Sequence, residues 1–184
     1  MVIRLPGGEA TRTLNAGHAA MHEAAARFFR GHNGWVTAPE VSFSIYGERG
    51  IIDIAAWHAE TRTLLVVELK TVLVDVNDLM GSMDIRRRLA AQIVRTRSWS
   101  PRQVGVWVVV ADTATNHRRL AEHATVLRGA FPVDGRGVRR WLGAPSGSIA
   151  ALSFLSAATQ GGGKHGFRAV GPVRNGRVGP ATHE

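Results

Sequence analysis

The amino-acid sequence predicts an α/β protein with a mixed central sheet flanked by helices, in the order helix, three-strand meander, helix, strand. Three observations support this prediction. Apolar residues switch between helical and strand spacing along the chain, and short turns separate the first three strand-like segments. The length of 184 residues, with 45% hydrophobic and 20% charged residues, is that of one globular domain.

The chain begins with a predicted helix over residues 11–30, in which Leu14, Met21, Ala25 and Phe28 recur at helical spacing. Alternating apolar residues then predict three strands, over residues 35–46, 51–58 and 64–71. Because the turns between these strands are short, neighbouring strands should run antiparallel.

A long amphipathic helix is predicted next, over residues 75–97, followed by a strand over residues 103–111. This strand is apolar on both faces, which is typical of a central strand. A further helix over residues 115–129 precedes two short strands, over residues 138–142 and 149–155. We assign residues 1–159 to the domain and the glycine-rich, basic residues 160–184 to a flexible tail.

The chain carries a formal net charge of +9, and its predicted pI is about 11.5. Such a balance indicates a polyanionic partner, of which nucleic acid is the commonest. All but two of the 23 basic residues are arginine, which a GC-rich genome alone would also produce. The exceptions are Lys70 and Lys164, and lysine, unlike arginine, can give up its proton. The absence of cysteine excludes disulfide scaffolds, thiolate metal sites and cysteine nucleophiles.

Neither a membrane span nor a secretory signal is expected from the sequence. The longest apolar run covers only eight residues, 104–111, whereas a spanning helix needs roughly 20. Residues 1–8 contain one arginine and no apolar core. We therefore expect a cytoplasmic protein.

Three charged residues interrupt otherwise apolar strands. Asp53 lies in the second predicted strand, and Glu68 and Lys70 lie in the third. Side chains at i and i+2 of a strand point to the same face, so Glu68 and Lys70 should lie together, with the Asp53 strand beside them. A charge among leucine and valine is costly unless it is paired or binds a metal. The simplest alternative is a structural ion pair between Glu68 and Lys70, with Asp53 in a turn.

This set of groups fits metal-assisted hydrolysis of a phosphodiester. Asp53 and Glu68 offer the hard oxygen ligands that Mg²⁺ or Mn²⁺ prefers, and the Leu69 carbonyl can add a backbone ligand. A bound metal ion acidifies water and offsets negative charge on a phosphate. Lys70 could orient the attacking water or help to deprotonate it.

The pattern resembles the PD-(D/E)xK phosphodiesterase superfamily, which has the restriction-endonuclease-like fold. The core of that fold is helix, three strands, helix, strand, the order predicted over residues 12–111. The superfamily motif is an aspartate at a strand end followed by Glu-x-Lys on the next strand, here Asp53 and the Glu-Leu-Lys of residues 68–70. Ile52 stands where the proline of the superfamily name would be, a position that is commonly replaced. A longer stretch, residues 46–50, 53–58 and 66–71, is similar to uncharacterised actinobacterial nuclease-like proteins.

The resemblance implies a DNA nuclease that depends on Mg²⁺ or Mn²⁺. It also allows a homodimer, since many members of the superfamily dimerise to cut two strands. Many members add a glutamate from the first helix, for which Glu23 is the best candidate and Glu40 the fallback. Some members place glutamine or basic residues on the helix after the lysine strand, and here Arg88, Gln92 and Arg95 share one face of that helix.

Residues 85–111 hold six arginines and no acidic residue, so this part of the chain is a candidate for contacts with a phosphate backbone. Arg86 falls inside the apolar face of the second helix, from which it could approach the metal site or extend to solvent. His18 and His22 are four residues apart in the first helix. This pair could bind a metal, although histidines in a core or on a surface are commoner.

Two other functions stay open from the sequence. A non-catalytic DNA-binding or regulatory module would keep the fold and the basic surface without cutting DNA. An interaction protein would use the same surface for an acidic protein partner. The presence of Asp53, Glu68 and Lys70 together favours the enzyme, because a degenerate site usually loses one of its residues.

Overall fold

The structure, a computed structural model, describes residues 7–156 and Phe167–Arg168, with the side chains of residues 15–156. Within these residues the helices are α1 (Gly7–Arg30), α2 (Val76–Ile93), α3 (Ala114–Glu122), α4 (Ala124–Ala130) and α5 (Gly135–Gly143). The strands are β1 (Trp35–Ile45), β2 (Glu48–His58), β3 (Thr63–Lys70), β4 (Gln103–Ala111), β5 (Ala150–Leu155) and β6 (Phe167–Arg168). The predicted α/β class with a mixed sheet and flanking helices is confirmed.

The described strands form one sheet in the order β1-β2-β3-β4-β5-β6. The pairs β1–β2 and β2–β3 are antiparallel, which confirms the predicted meander. The pairs β3–β4 and β4–β5 are parallel, and β6 is antiparallel to β5. Strand β4 lies between two parallel neighbours and is buried over residues 105–110, as its apolar sequence predicted.

Apolar side chains cover both faces of the sheet and form two cores. One core lies between the sheet and helices α2 to α4, and includes Leu79 and Val66. The other lies between the sheet and helices α1 and α5, and includes Phe29, Leu142 and Val67. Val66 and Val67 are adjacent on β3 and enter opposite cores, as the two-residue period of a strand requires. The sheet is therefore covered by helices on both faces.

Helix α1 buries a slightly different stripe from the one predicted. Met21, Ala25 and Phe29 are buried, and they follow one another at intervals of four residues. The predicted Phe28 is only half-buried and packs its ring at the edge of the stripe, 5.6 Å from the ring of Trp107. Leu14 lies outside the residues whose side chains the structure describes.

The helix ends follow their capping residues. The Asp75 side chain accepts hydrogen bonds from the backbone N–H groups of Asn77 and Asp78 and starts α2. This helix ends at Ile93, before the predicted residue 97, and a short 3-10 turn follows at Arg95–Arg97. Thr113 caps α3. The single helix predicted over residues 115–129 is two helices, α3 and α4.

The strand predicted over residues 138–142 is wrong, because this segment belongs to helix α5. Val138 and Leu142 are buried and lie four residues apart on one face, while Arg139 between them is exposed. Asp134 starts the helix by accepting two backbone hydrogen bonds. The predicted tail, residues 160–184, lies outside the described residues apart from β6.

Candidate active site

The site forms where β2 and β3 part. The last paired residues of these two strands are Ile54 and Val67. The next position on each strand belongs to Asp53 and Glu68, so these two residues lie across from each other just beyond the end of the ladder. Local sequence places an acidic residue on each strand, and the register of the strands brings the two together.

The ladder between β1 and β2 is interrupted at Asp53. The neighbours of Asp53 on β2 pair with β1, but the register skips Asp53 and the opposite Glu40. Glu40 has a φ of 49°, in the left-handed region that favours glycine. Ile52 packs into the core on the α2 face and Ile54 into the core on the α1 face, although residues two apart on a regular strand face the same way. The interruption therefore turns β2 at Asp53 and redirects its carboxylate.

The Asp53 carboxylate joins three elements. The backbone N–H of Leu69 on β3 donates to Oδ2 at 2.7 Å. The other oxygen, Oδ1, lies 3.7 Å from Nε2 of His18 on α1. A short hydrogen bond to a carboxylate is stronger than one between neutral groups, so the Leu69 N–H holds Asp53 in a defined orientation.

Glu68 is a buried carboxylate held between two cations. Only 3% of the residue is exposed. Its Oε1 lies 2.8 Å from Lys70 Nζ, which confirms that the two side chains share a face of β3. Its Oε2 lies 3.5 Å from Nη2 of Arg86 and makes no hydrogen bond within the described part of the chain. Arg86 is oriented by a second contact, because its Nε donates to the Ile51 carbonyl at 3.0 Å.

Burial raises the pKa of the Glu68 carboxyl, and the negative charge of Asp53 raises it further. The cations Arg86 and Lys70 act in the opposite direction. The two carboxylates thus repel each other at this end of the sheet. The two neighbouring cations offset only part of the free-energy cost of keeping Glu68 ionised.

The loop that follows Lys70 is tied down by one buried side chain. Asn116 of α3 is 0% exposed. Its Oδ1 accepts from the Leu73 N–H at 2.9 Å, and its Nδ2 donates to the Thr71 carbonyl at 3.0 Å and to the Ala111 carbonyl at 2.8 Å. Asn116 therefore joins the ends of β3 and β4, although nothing in its local sequence indicated this role.

Glu23 is not brought to the site. Its side chain is 70% exposed and pairs with Arg27 one turn along α1 at 2.9 Å, which agrees with its position opposite the buried stripe. The second candidate, Glu40, is also exposed, but it lies on β1 directly opposite Asp53 of β2. The glutamate expected from the first helix is thus a surface residue, and histidines occupy the part of α1 that approaches Asp53.

The polar face predicted on α2 is exposed. Arg88 and Gln92 lie on α2, and Arg95 lies in the 3-10 turn that follows it. Arg88 makes a long ion pair with Asp84, at 3.9 Å, in which both side chains are more than half exposed. Such a pair holds its partners weakly, so the guanidinium is available to a phosphate.

His18 and His22 meet Asp53, which sequence reasoning did not foresee. The Nε2 atoms of the two histidines are 3.1 Å apart, and one candidate ligand atom from each of the three side chains lies within 4.8 Å of the others. Burial lowers the pKa of the His22 imidazole, and the nearby His18 lowers it further. The sequence did contain a signal for this contact, because positions 18 and 22 lie on the same stripe of α1 as the buried Met21 and Ala25.

Asp53 and Glu68 offer carboxylate oxygens, the kind of ligand that a hard divalent cation prefers. Glu68 Oε2 is buried without a hydrogen bond among the described residues, and Asp53 Oδ1 lies beyond hydrogen-bonding distance of His18. Each carboxylate thus keeps one oxygen for a ligand. The predicted third ligand, the Leu69 carbonyl, belongs to a residue whose own N–H is bonded to Asp53.

Comparison with protein families, curated proteins and solved structures gave no match to this chain. None of the helices in the described residues is long and apolar enough to cross a membrane.

Proposed function

We propose that this protein is a metal-dependent phosphodiesterase. More narrowly, we propose a nuclease that hydrolyses DNA phosphodiester bonds with Mg²⁺ or Mn²⁺. The observation that carries the proposal is the state of Glu68. It is a buried carboxylate, one of whose oxygens has no hydrogen bond among the residues that the structure describes, and it lies across from Asp53 and beside Lys70 and Arg86.

A purely structural role explains Glu68 poorly. A buried charge costs free energy unless it is fully paired, and replacement of such a pair by apolar residues is often neutral or stabilising. Here burial, together with the charge of Asp53, raises the pKa of Glu68 despite two neighbouring cations. Ionisable groups held in unfavourable surroundings are concentrated at functional sites.

Each residue of the site has a separate role. Asp53, Glu68 and the Leu69 carbonyl would hold the cation. When bound there, Mg²⁺ or Mn²⁺ supplies the positive charge that acidifies water and stabilises a phosphate under attack. Lys70, half-buried and hydrogen-bonded to Glu68, orients the attacking water or takes up its proton. Arg86, fixed by the Ile51 carbonyl, positions Glu68.

The restriction-endonuclease-like fold is the finer structural proposal. The order α1, β1, β2, β3, α2, β4 agrees with the helix, three strands, helix, strand of that core. The Glu-x-Lys of β3 and the aspartate of β2 stand at neighbouring positions, as in the superfamily motif. We propose DNA as the substrate because the chain is basic and the face that bears Arg88, Gln92 and Arg95 is exposed.

The test is cleavage of plasmid and branched DNA with Mg²⁺ or Mn²⁺, comparing the wild type with Glu68→Gln, which removes the charge and keeps the shape. Glu23→Gln, a surface change on α1, is the matched control. We expect cleavage by the wild type and by Glu23→Gln, and none by Glu68→Gln. Equal cleavage by all three proteins would overturn the proposal. DNA binding without cleavage by any of them would favour a non-catalytic DNA-binding module instead.

A further inference from the structure

We propose that His18, His22 and Asp53 form a binding site for a divalent transition-metal ion. The three residues lie where α1 meets the end of β2, with His18 and His22 on successive turns of the helix. This site can bind metal whether or not the protein cuts DNA.

The separations of the ligand atoms suit a single ion. With metal–nitrogen distances of about 2.0–2.1 Å, two ligands of a tetrahedral ion lie roughly 3.3 Å apart. The two Nε2 atoms are 3.1 Å apart, and His18 Nε2 lies 3.7 Å from Asp53 Oδ1. Small side-chain movements of a few tenths of an ångström would bring both distances to that value.

The kind of ligand decides the class of metal. Two imidazole nitrogens and one carboxylate oxygen are typical ligands of zinc, and imidazole also suits iron, cobalt, nickel and copper. Mg²⁺ and Ca²⁺ prefer sets made of oxygen alone. Three protein ligands leave at least one coordination position open for water or a substrate oxygen. The site is therefore selective for transition metals over Mg²⁺.

The ligands are held by neighbouring structure before any metal binds. The Leu69 N–H fixes Asp53 through Oδ2, which leaves Oδ1 on the side of His18. Helix α1 is anchored by the buried Met21. It also approaches the end of β3 closely, since a Cβ at Gly17 would lie 3.3 Å from Cγ2 of Thr71. The His18 side chain is 36% exposed, so an ion can enter from solvent.

Asp53 belongs to both candidate sites, so the test must separate them. The protein is first freed of metal with a chelator. Co²⁺ is then added while its visible absorption is followed, because the spectrum reports nitrogen ligands directly, and Zn²⁺ and Mg²⁺ are tested as competitors. The variants are His18→Ala, His22→Ala and Glu68→Gln. His123→Ala, an exposed histidine outside the cluster, is the matched control.

We expect the wild type to give a Co²⁺ spectrum with nitrogen ligands, from one ion at the histidine site, that Zn²⁺ abolishes and equimolar Mg²⁺ does not. His18→Ala and His22→Ala should each bind Co²⁺ at least roughly tenfold more weakly. His123→Ala and Glu68→Gln should bind it as the wild type does. If an alanine variant unfolds, His18→Gln or His22→Gln takes its place, since glutamine keeps most of the volume and the polarity.

Three results would overturn the site: no Co²⁺ binding by the wild type, binding that both histidine variants retain, or binding that only Glu68→Gln loses. DNA cleavage is scored separately. Histidine-dependent Co²⁺ binding in a protein that cuts no DNA would support this site and contradict the proposed function. Cleavage with Mg²⁺ by a protein that shows no histidine-dependent Co²⁺ binding would support the proposed function and contradict this site.

Discussion

Asp53 and Glu68 lie across from each other at the first position beyond the pairing of β2 and β3, and the charge of Asp53 helps to raise the pKa of Glu68. The two strands hold the carboxylates in place although the carboxylates repel each other. A site of this kind is less stable when empty than when a cation lies between its acidic groups, and its properties should therefore depend on pH and on metal.

The first prediction concerns stability without metal. A carboxyl whose pKa is raised by folding binds its proton more tightly in the native protein than in the unfolded chain. Its contribution to stability is therefore complete below the unfolded pKa and is lost as pH rises through the folded pKa. Glu68→Gln removes this loss, so its thermal midpoint should exceed that of the wild type by a few degrees at pH 8. The difference should shrink as the pH falls towards 4.

Thermal unfolding of chelator-treated protein across this pH range checks the expectation, with Glu23→Gln as the control that should follow the wild type. A Glu68→Gln protein that is less stable than the wild type at pH 8 would show that the ion pairs of Glu68 outweigh its burial. Added Mg²⁺, which the histidine cluster does not favour, should raise the midpoint of the wild type and leave that of Glu68→Gln nearly unchanged.

The second prediction concerns Lys70. Lys70→Met keeps the volume of the side chain and removes the ammonium group that contacts Glu68. We expect the single-turnover rate of DNA cleavage to fall by about 10² to 10⁴, the usual contribution of a group that acts on a proton in the transition state. Metal affinity should change little, because lysine is not a ligand. A rate within threefold of the wild type would exclude a catalytic role for Lys70.

The third prediction concerns Asn116, which makes three hydrogen bonds with its buried amide. Asn116→Leu leaves the backbone groups of Thr71, Leu73 and Ala111 without these partners. We expect a loss of about 2–4 kcal/mol in the free energy of unfolding, since each unsatisfied buried group costs about 1–3 kcal/mol and water can reach some of them. Denaturation in urea measures the loss. Asn77→Leu, an exposed change on α2, should have almost no effect.

The fourth prediction concerns DNA affinity. If Arg88 and Arg95 contact phosphates, the double change to alanine should lower the slope of log K against log salt by about two, one for each lost contact. The matched control is Arg136→Ala with Arg140→Ala, two exposed arginines of α5 on the other side of the sheet. Titration of a labelled duplex at several salt concentrations provides the slopes. Equal slopes for the two double variants would place the DNA elsewhere.

Local pattern was enough to predict the strands and the pairing of Glu68 with Lys70, because both follow from the two-residue period of β3. It failed at residues 138–142, where valine and leucine four apart fit a helix better than the strand that was predicted. The choice of Glu23 came from the family resemblance, whereas its place opposite the apolar stripe of α1 indicated a surface residue. The contact of His18 with Asp53 joins segments far apart in the sequence, so local pattern did not predict it. Burial of Asn116 is equally non-local, since its partners lie on two strand ends.

Arg86 connects the buried Glu68 to the helix that carries the exposed arginines. Its guanidinium contacts Glu68 and the Ile51 carbonyl, and it lies two residues before Arg88 on the same helix. One rigid helix thus bears both the contact to the inner carboxylate and the outward arginines, so that a ligand which shifts α2 also shifts the partner of Glu68. If binding of DNA changes the proton affinity of Glu68 by some factor, protonation of Glu68 must change the affinity for DNA by the same factor, because the two equilibria are thermodynamically linked.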